Sequence, residues 1–205
     1  MLRDGSDLCP QASEDHAKKK TTRYKEQDPK KVEAYKSEIA GIPRDKRVYV
    51  DESGFDTYLF RKHARAPRGE KVYEHVRGRK LQRRSIVAGK MGQEIVAPLE
   101  YDGTMHGDFF ESWFEEQLLP AIPKGAVIIM DNASFHRKKK LYEIARRHDR
   151  ELIFLPPYSP ELNPIEHFWH WLKQAVTETL KFCDSLEEAI GKALRRWRLR
   201  CTDVW

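Results

Sequence analysis

Five apolar residues stand together at positions 126–130, and a similar run returns at 152–155. Short runs without polar alternation are buried on both faces, as in the parallel part of a sheet. Between them, 137–147 has helical composition. Beyond a loop at 156–162, Ile165, Phe168, Trp169, Leu172 and Val176 recur at helical spacing, and Leu186, Ala189, Ile190, Ala193, Leu194 and Trp197 do so again. Ser185 and Glu188 read as a capping box for this last helix. Upstream, Phe110, Trp113, Phe114 and Leu118 predict a helix over 106–119, closed by Pro120 and Pro123. The period changes nearer the start. Val48-Tyr49-Val50 reads as a strand that ends at Asp51, with Asp51-Glu52-Ser53-Gly54 as a turn. Segments 71–76, 84–90 and 94–101 read as further strands, the last two joined by a Gly92-Gln93 hairpin. Asp28 as N-cap and Pro29 at the first helical position open a short helix through Val32, Tyr35 and Ile39, which Gly41 and Pro43 stop.

The predicted order is a strand meander, helix, strand, helix, strand, helix, helix. A meander feeding right-handed βαβ units gives an α/β architecture: a mixed sheet, part antiparallel meander and part parallel strands, flanked by helices. That is the ribonuclease-H-like layout. Residues 1–27 are polar and aperiodic, so 1–45 is expected to form a basic arm and linker helix, and 46–205 a single ribonuclease-H-like domain.

Composition narrows the function. In 205 residues, 40% are hydrophobic and 34% charged, and no apolar run approaches the length of a membrane span. The first residues lack the apolar stretch of a secretory signal, so a cytoplasmic protein is expected. Cys9, Cys183 and Cys201 form no CxxC pair, which argues against a disulfide framework or a zinc knuckle. A net charge of +6 favours a polyanionic partner.

Three acids carry the candidate chemistry. Read singly, Asp51 and Asp131 are turn-formers and Glu166 is a capping residue, since Asn163-Pro164-Ile165-Glu166 places Asn at an N-cap and Glu at N3. Read together, two strand-terminal Asp residues can meet at the carboxyl edge of a parallel sheet, and a Glu in the first turn of the following helix can face that edge. Hard oxygen donors without thiolates suit Mg²⁺ or Mn²⁺. Two such ions can activate a water or 3′-hydroxyl and stabilise the leaving oxygen of a phosphodiester. Nearby Lys and Arg would recruit the DNA that bare carboxylates repel.

The segments VYVDESG, VIIMDNASFH and LPPYSPELNPIEHFW, in this order, resemble the three catalytic motifs of the DDE transposases of the mariner superfamily, nearest its bacterial insertion-sequence branch, the family numbered six-thirty. The 34 residues between Asp131 and Glu166 are similar to that group's usual spacing, and the resemblance covers about 18–197. It implies Asp51, Asp131 and Glu166 as catalytic and metal-binding triad, with two Mg²⁺ or Mn²⁺ ions. It also implies cut-and-paste movement of double-stranded DNA from terminal inverted repeats to a TA-type target, in a homodimeric synaptic complex. Family members usually carry tandem helix-turn-helix domains upstream, and none fits the roughly 50 residues before Asp51 here. The expectation is a catalytic domain without them. The alternatives are a non-autonomous transposase that binds DNA or dimerises to inhibit intact copies, and a cellular nuclease of the same fold.

Asn132 and His136 are accessory candidates that can orient water, metal or phosphate; a turn Asn and a surface His are the plain reading. Tyr158 and Ser159 can touch DNA or simply rigidify a turn. His167 and His170 have ligand spacing, but the acids already supply a site, and Asn163 reads as a cap. Candidate DNA contacts are Lys18, Lys19, Lys20 and Arg23 in the arm; Arg61, Lys62, Arg65 and Arg68; Arg79, Arg83 and Arg84; and Arg137, Lys138, Lys139 and Lys140. Arg195, Arg196, Arg198 and Arg200 read as a solvated helix face.

Overall fold

The computed structural model describes residues 24–57, 67, 70, 71 and 83–202, with the side chains of 201 and 202 excepted. Apart from Lys71, which lies in no strand, the predicted strand at 71–76 lies outside the described residues, as do Lys18, Lys19, Lys20, Arg23, Arg61, Lys62, Arg65, Arg68 and Arg79.

Asp28 caps α1 (Pro29–Ala40) by accepting from the Lys30 amide at 2.9 Å, with Pro29 in the first turn. Three antiparallel strands follow: β1 (Arg47–Asp56), β2 (Arg83–Met91) and β3 (Glu94–Tyr101). Gly92 turns the β2–β3 hairpin at φ 58°, a region that favours glycine. A bulge interrupts their pairing between Val87 and Gly89. Ala97 takes φ 48° there, and its carbonyl accepts from the Trp113 indole at 2.9 Å.

The predicted second helix forms α2 (Gly107–Trp113), runs through a π-helical segment, Phe114–Leu118, and finishes in α3 (Leu119–Ala121). Pro120 therefore lies inside the last turn and does not end the helix; the first turn of a new segment tolerates a residue without an N–H. The remaining elements are β4 (Val127–Met130), α4 (Lys138–Arg147), β5 (Glu151–Phe154), α5 (Ile165–Thr179) and α6 (Leu186–Thr202). The α6 cap is as expected on one side: Ser185 Oγ accepts from the Glu188 amide at 3.1 Å, while Glu188 reaches back to the Asp184 amide. Replacing Ser185 by Ala is expected to lower stability by about 1 kcal/mol, read as a drop in the thermal midpoint.

The sheet order is β3-β2-β1-β4-β5, with β4 parallel to both β1 and β5. This mixed sheet flanked by helices is the ribonuclease-H-like fold expected from the sequence. Strand alternation sends Val48, Val50, Ile128 and Met130 to one face, where they pack with Phe110, Trp113, Phe114, Leu141 and Ile144. On the other face, Phe55, Ile86 and Ala88 pack under Ile165, Phe168, Trp169 and Leu172 of α5 and Leu186, Ala189 and Ile190 of α6. Tyr35 and Ile39 of α1 cover Val127 and Ile129 on that same side. Among the described residues no helix is long and apolar enough to cross a membrane.

Candidate active site

Asp51-Glu52-Ser53-Gly54 is not a turn. β1 continues through it to Asp56, because β2 pairs with it along the whole length, Asp51 opposite Ala88 and Glu52 opposite Val87. The parallel ladder with β4 does stop there: Val50 and Met130 are its last pair. Asp51 and Asp131 are each the next residue, so they leave the ladder at the same level of two neighbouring parallel strands. Asp51 thus reaches the carboxyl edge of β4 from within a longer strand.

Glu166 lies in the first turn of α5, the helix packed over the face to which Asp51 points. Asn163 does not cap that helix: its side chain makes no cap hydrogen bond, and its Oδ1 is buried without a partner. The chain enters α5 through a short 3-10 turn, Pro160–Leu162, so that Pro164 occupies the flanking position. Across the gap, Trp169 Nε1 donates to Asp51 Oδ2 at 3.0 Å. Asp131 Oδ1 accepts from the Ala133 amide at 3.1 Å, which shapes the loop after β4.

Burial, reinforced by the negative charges of Glu166 and Asp131, pushes the Asp51 carboxyl up to about 7. Glu52, on the opposite face of β1, is likewise pushed up to about 7 by burial; it accepts from the Tyr101 hydroxyl at 3.2 Å, and its other oxygen is buried without a partner. Among the described residues no Lys or Arg forms an ion pair with Asp51, Asp131 or Glu166. Nor are three such donors already closed around a point that would enclose a cation.

His136 is no surface residue. Its ring is buried against Phe110 and Phe135, each with centroids 4.4 Å away, and its Nδ1 stands 3.2 Å from the Asp131 carbonyl oxygen. Burial holds its imidazole below the ordinary value, so it is neutral at pH 7. Asn132 Nδ2 donates to the Leu155 carbonyl at 2.5 Å and ties the ends of β4 and β5 together. Lys138 donates to Asn132 Oδ1 and lies 4.5 Å from the centroid of the Phe154 ring, while Lys139 is exposed. Arg137 is held by Asp108 and Glu111, and Lys140 by Glu111 at 3.0 Å. Arg84 bridges Glu100, Asp102 and Glu187, so its charge is compensated within the chain; Arg83 is exposed. His167 and His170 are exposed on α5, the latter beside Gln174.

The Pro-rich loop before Glu166 is strapped from outside. Gln27 Nε2 donates to Ser159 Oγ at 2.9 Å and to Glu161 Oε1 at 2.5 Å, and Tyr24 leans on Tyr158, whose φ is 57°. Glu52, Tyr101, Trp169 and Gln27 were not singled out in the sequence. Only the Glu that follows Asp51 directly offered a signal there.

Residues 46–188 match the family described as DDE superfamily endonuclease, and the chain belongs to that family. The uncharacterized protein y4pE/y4sA of Sinorhizobium fredii (strain NBRC 101917 / NGR234) is 44% identical over 80 residues, covering 39% of this chain and 56% of that one. The transposable element Tcb2 transposase of Caenorhabditis briggsae is 31% identical over 75 residues, 37% of this chain and 28% of that one. The chain therefore spans about half, or less, of the curated relatives it matches. Among solved structures, the fold is similar to the Mos1 strand transfer complex, with TM-score 0.59 and 15% identity over 89% of this chain and 64% of that one. It is also similar to the Mos1 transposase catalytic domain solved with raltegravir and Mg, with TM-score 0.50 and 14% identity over 82% and 89% of the two chains. The likeness to mariner-type transposases read from the three motifs is borne out.

Proposed function

We infer that this chain is the catalytic domain of a DDE transposase, a divalent-metal-dependent DNA endonuclease and strand transferase that acts at transposon ends. The register of β1 and β4 carries the reading: it delivers Asp51 and Asp131 to one edge, and the first turn of α5 brings Glu166 over it. The donor set fits a hard cation. Burial, with the neighbouring charges of Glu166 and Asp131 adding to it, raises Asp51, and among the described residues no Lys or Arg forms an ion pair with the three acids. A divalent cation is the natural counter-charge, and it would draw the acids together.

Asp51, Asp131 and Glu166 would hold Mg²⁺ or Mn²⁺, two ions in the arrangement proposed. When bound, the ions supply an activated oxygen nucleophile and offset charge on the leaving oxygen. In the first step water attacks the phosphorus at the transposon end, and the freed 3′-oxygen departs and takes up a proton. In the second, that 3′-hydroxyl loses its proton, attacks a target phosphodiester and displaces another 3′-oxygen. The chain's own contribution is positional. β1 and β4 fix two acids on a rigid sheet, Asn132 ties β4 to β5, and the neutral imidazole of His136 braces the loop at Asp131. Double-stranded DNA and a second copy of the chain are the proposed partners, with 46–205 as the catalytic unit behind an arm and linker helix. Exposed Arg83 and Lys139, and Lys138 at the edge, remain candidates for phosphate contact.

The test uses a plasmid carrying the DNA that flanks the gene, incubated with purified protein and Mg²⁺ or Mn²⁺. Nicking at the element's ends is expected, abolished by chelation and by Asp131→Ala. Activity unchanged in Asp131→Ala would sink the assignment.

A further inference from the structure

We propose that Trp169 is a positioning residue for the acidic edge: its indole N–H fixes one oxygen of Asp51 and thereby sets Asp51 on β1 against Glu166 on α5. This rests on the reading of Asp51 as a cation ligand. Trp169 follows Glu166 by three residues, one helical turn, so both project from the same side of α5. Its Nε1 meets Asp51 Oδ2 at 3.0 Å, and the side chain is 2% exposed. Phe168, with ring centroids at 4.9 Å, and Phe55, edge-on at 6.5 Å, hold the indole in place.

Two other indoles show what a purely structural N–H does: Trp113 donates to the Ala97 carbonyl and Trp197 to the Gln93 carbonyl. Trp169 reaches across from helix to strand and donates to a carboxylate. The chemistry suits the task. An indole has one donor and no charge, so it orients the carboxylate without cancelling it, as Lys or Arg would. It engages one oxygen of Asp51, whose carboxylate also accepts from the Glu52 backbone amide, and with two lone pairs on each oxygen the group keeps acceptor capacity for a cation. Partners of this kind, one step behind the ligands, typically govern metal affinity by 10- to 100-fold.

The experiment titrates Mn²⁺ into the wild-type protein and Trp169→Phe by calorimetry. The affinity of Trp169→Phe is expected to fall about tenfold, and the Mg²⁺ concentration for half-maximal nicking to rise in step. Far-UV circular dichroism in chelator reports whether Trp169→Phe is folded. If it is not, the wild type decides. In ¹⁵N-labelled protein the Trp169 indole resonance is expected to shift saturably with Mg²⁺, and to stay still in Asp51→Asn. Equal Mn²⁺ affinity in a folded Trp169→Phe, or an indole resonance unmoved at saturating Mg²⁺, overturns the proposal, while a loss of Mn²⁺ affinity in Asp51→Asn upholds Asp51 as a ligand. Absence of any Mn²⁺ binding by the wild type overturns both.

Discussion

Replacing Asp51 by Asn is expected to reduce strand cleavage by on the order of 10³-fold, several kcal/mol of transition-state stabilisation, and at the same time to make the metal-free protein more stable. The two effects share one cause. Asp51 sits where a charge is costly: burial and the neighbouring Glu166 and Asp131 raise its carboxyl to about 7. An ionised Asp51 is therefore a liability until a cation arrives, and Asn, near-isosteric and uncharged, removes it. The Trp169 N–H still has an oxygen to meet in the amide. At pH 8 in chelator, Asp51→Asn is expected to gain about 1–3 kcal/mol, seen as a higher thermal midpoint than wild type. A variant that cleaves normally, or one that is less stable than wild type under those conditions, contradicts this account of the edge.

The second large effect is on the pH dependence of stability. Asp51 and Glu52 are both raised in the folded protein to about 7, above the ordinary range of unfolded carboxylates. Below about pH 4 both states hold these protons, and the groups leave folding unaffected. Between about 4 and 7 the unfolded chain has ionised while the folded one still binds protons, so stability falls as pH rises, and the loss is complete above the folded values. At roughly 1.4 kcal/mol per pKa unit, the rise of Asp51 from the ordinary carboxylate range to about 7 alone corresponds to about 4 kcal/mol. Glu111, held low by Arg137 and Lys140 against its own burial, works in the opposite sense and is lost only in acid. The metal-free protein should thus be most stable near pH 5 by thermal melts across pH. Saturating Mg²⁺ should restore the loss at pH 8, and should do so poorly in Asp51→Asn.

Much of this was legible in the chain because burial imposes period. The unbroken apolar run at 126–130 announced β4, and the stripes through Phe168 and Leu172 and through Ala189 and Ile190 announced α5 and α6. The spacing of Asp131 and Glu166 made sense once one helix and one strand filled it. What stayed hidden depends on partners distant in sequence. Asp51-Glu52-Ser53-Gly54 has the composition of a turn, and only β2, more than 30 residues later, holds it extended through pairs such as Asp51 with Ala88. Asn163 looks like a cap by local rules, yet the short turn through Pro160–Leu162 aims its side chain inward. The π-helical segment at Phe114–Leu118 leaves no mark in a stripe that any helix could carry. His136 reads as polar and exposed until Phe110, Phe135 and Phe154 close around it. The Trp169 bond to Asp51 joins residues 118 positions apart, and nothing local distinguishes that indole from a core side chain.

The central claim is that Asp51, Asp131 and Glu166 jointly hold the ions on which the chemistry depends. Crystals of the protein soaked in Mn²⁺ and measured at the manganese absorption edge test it most directly. The account predicts anomalous peaks between these three carboxylates, two of them about 3.5–4 Å apart when DNA ends are present, and none in Asp131→Ala. Manganese bound elsewhere with this edge empty, or peaks that persist unchanged in Asp131→Ala, would contradict it.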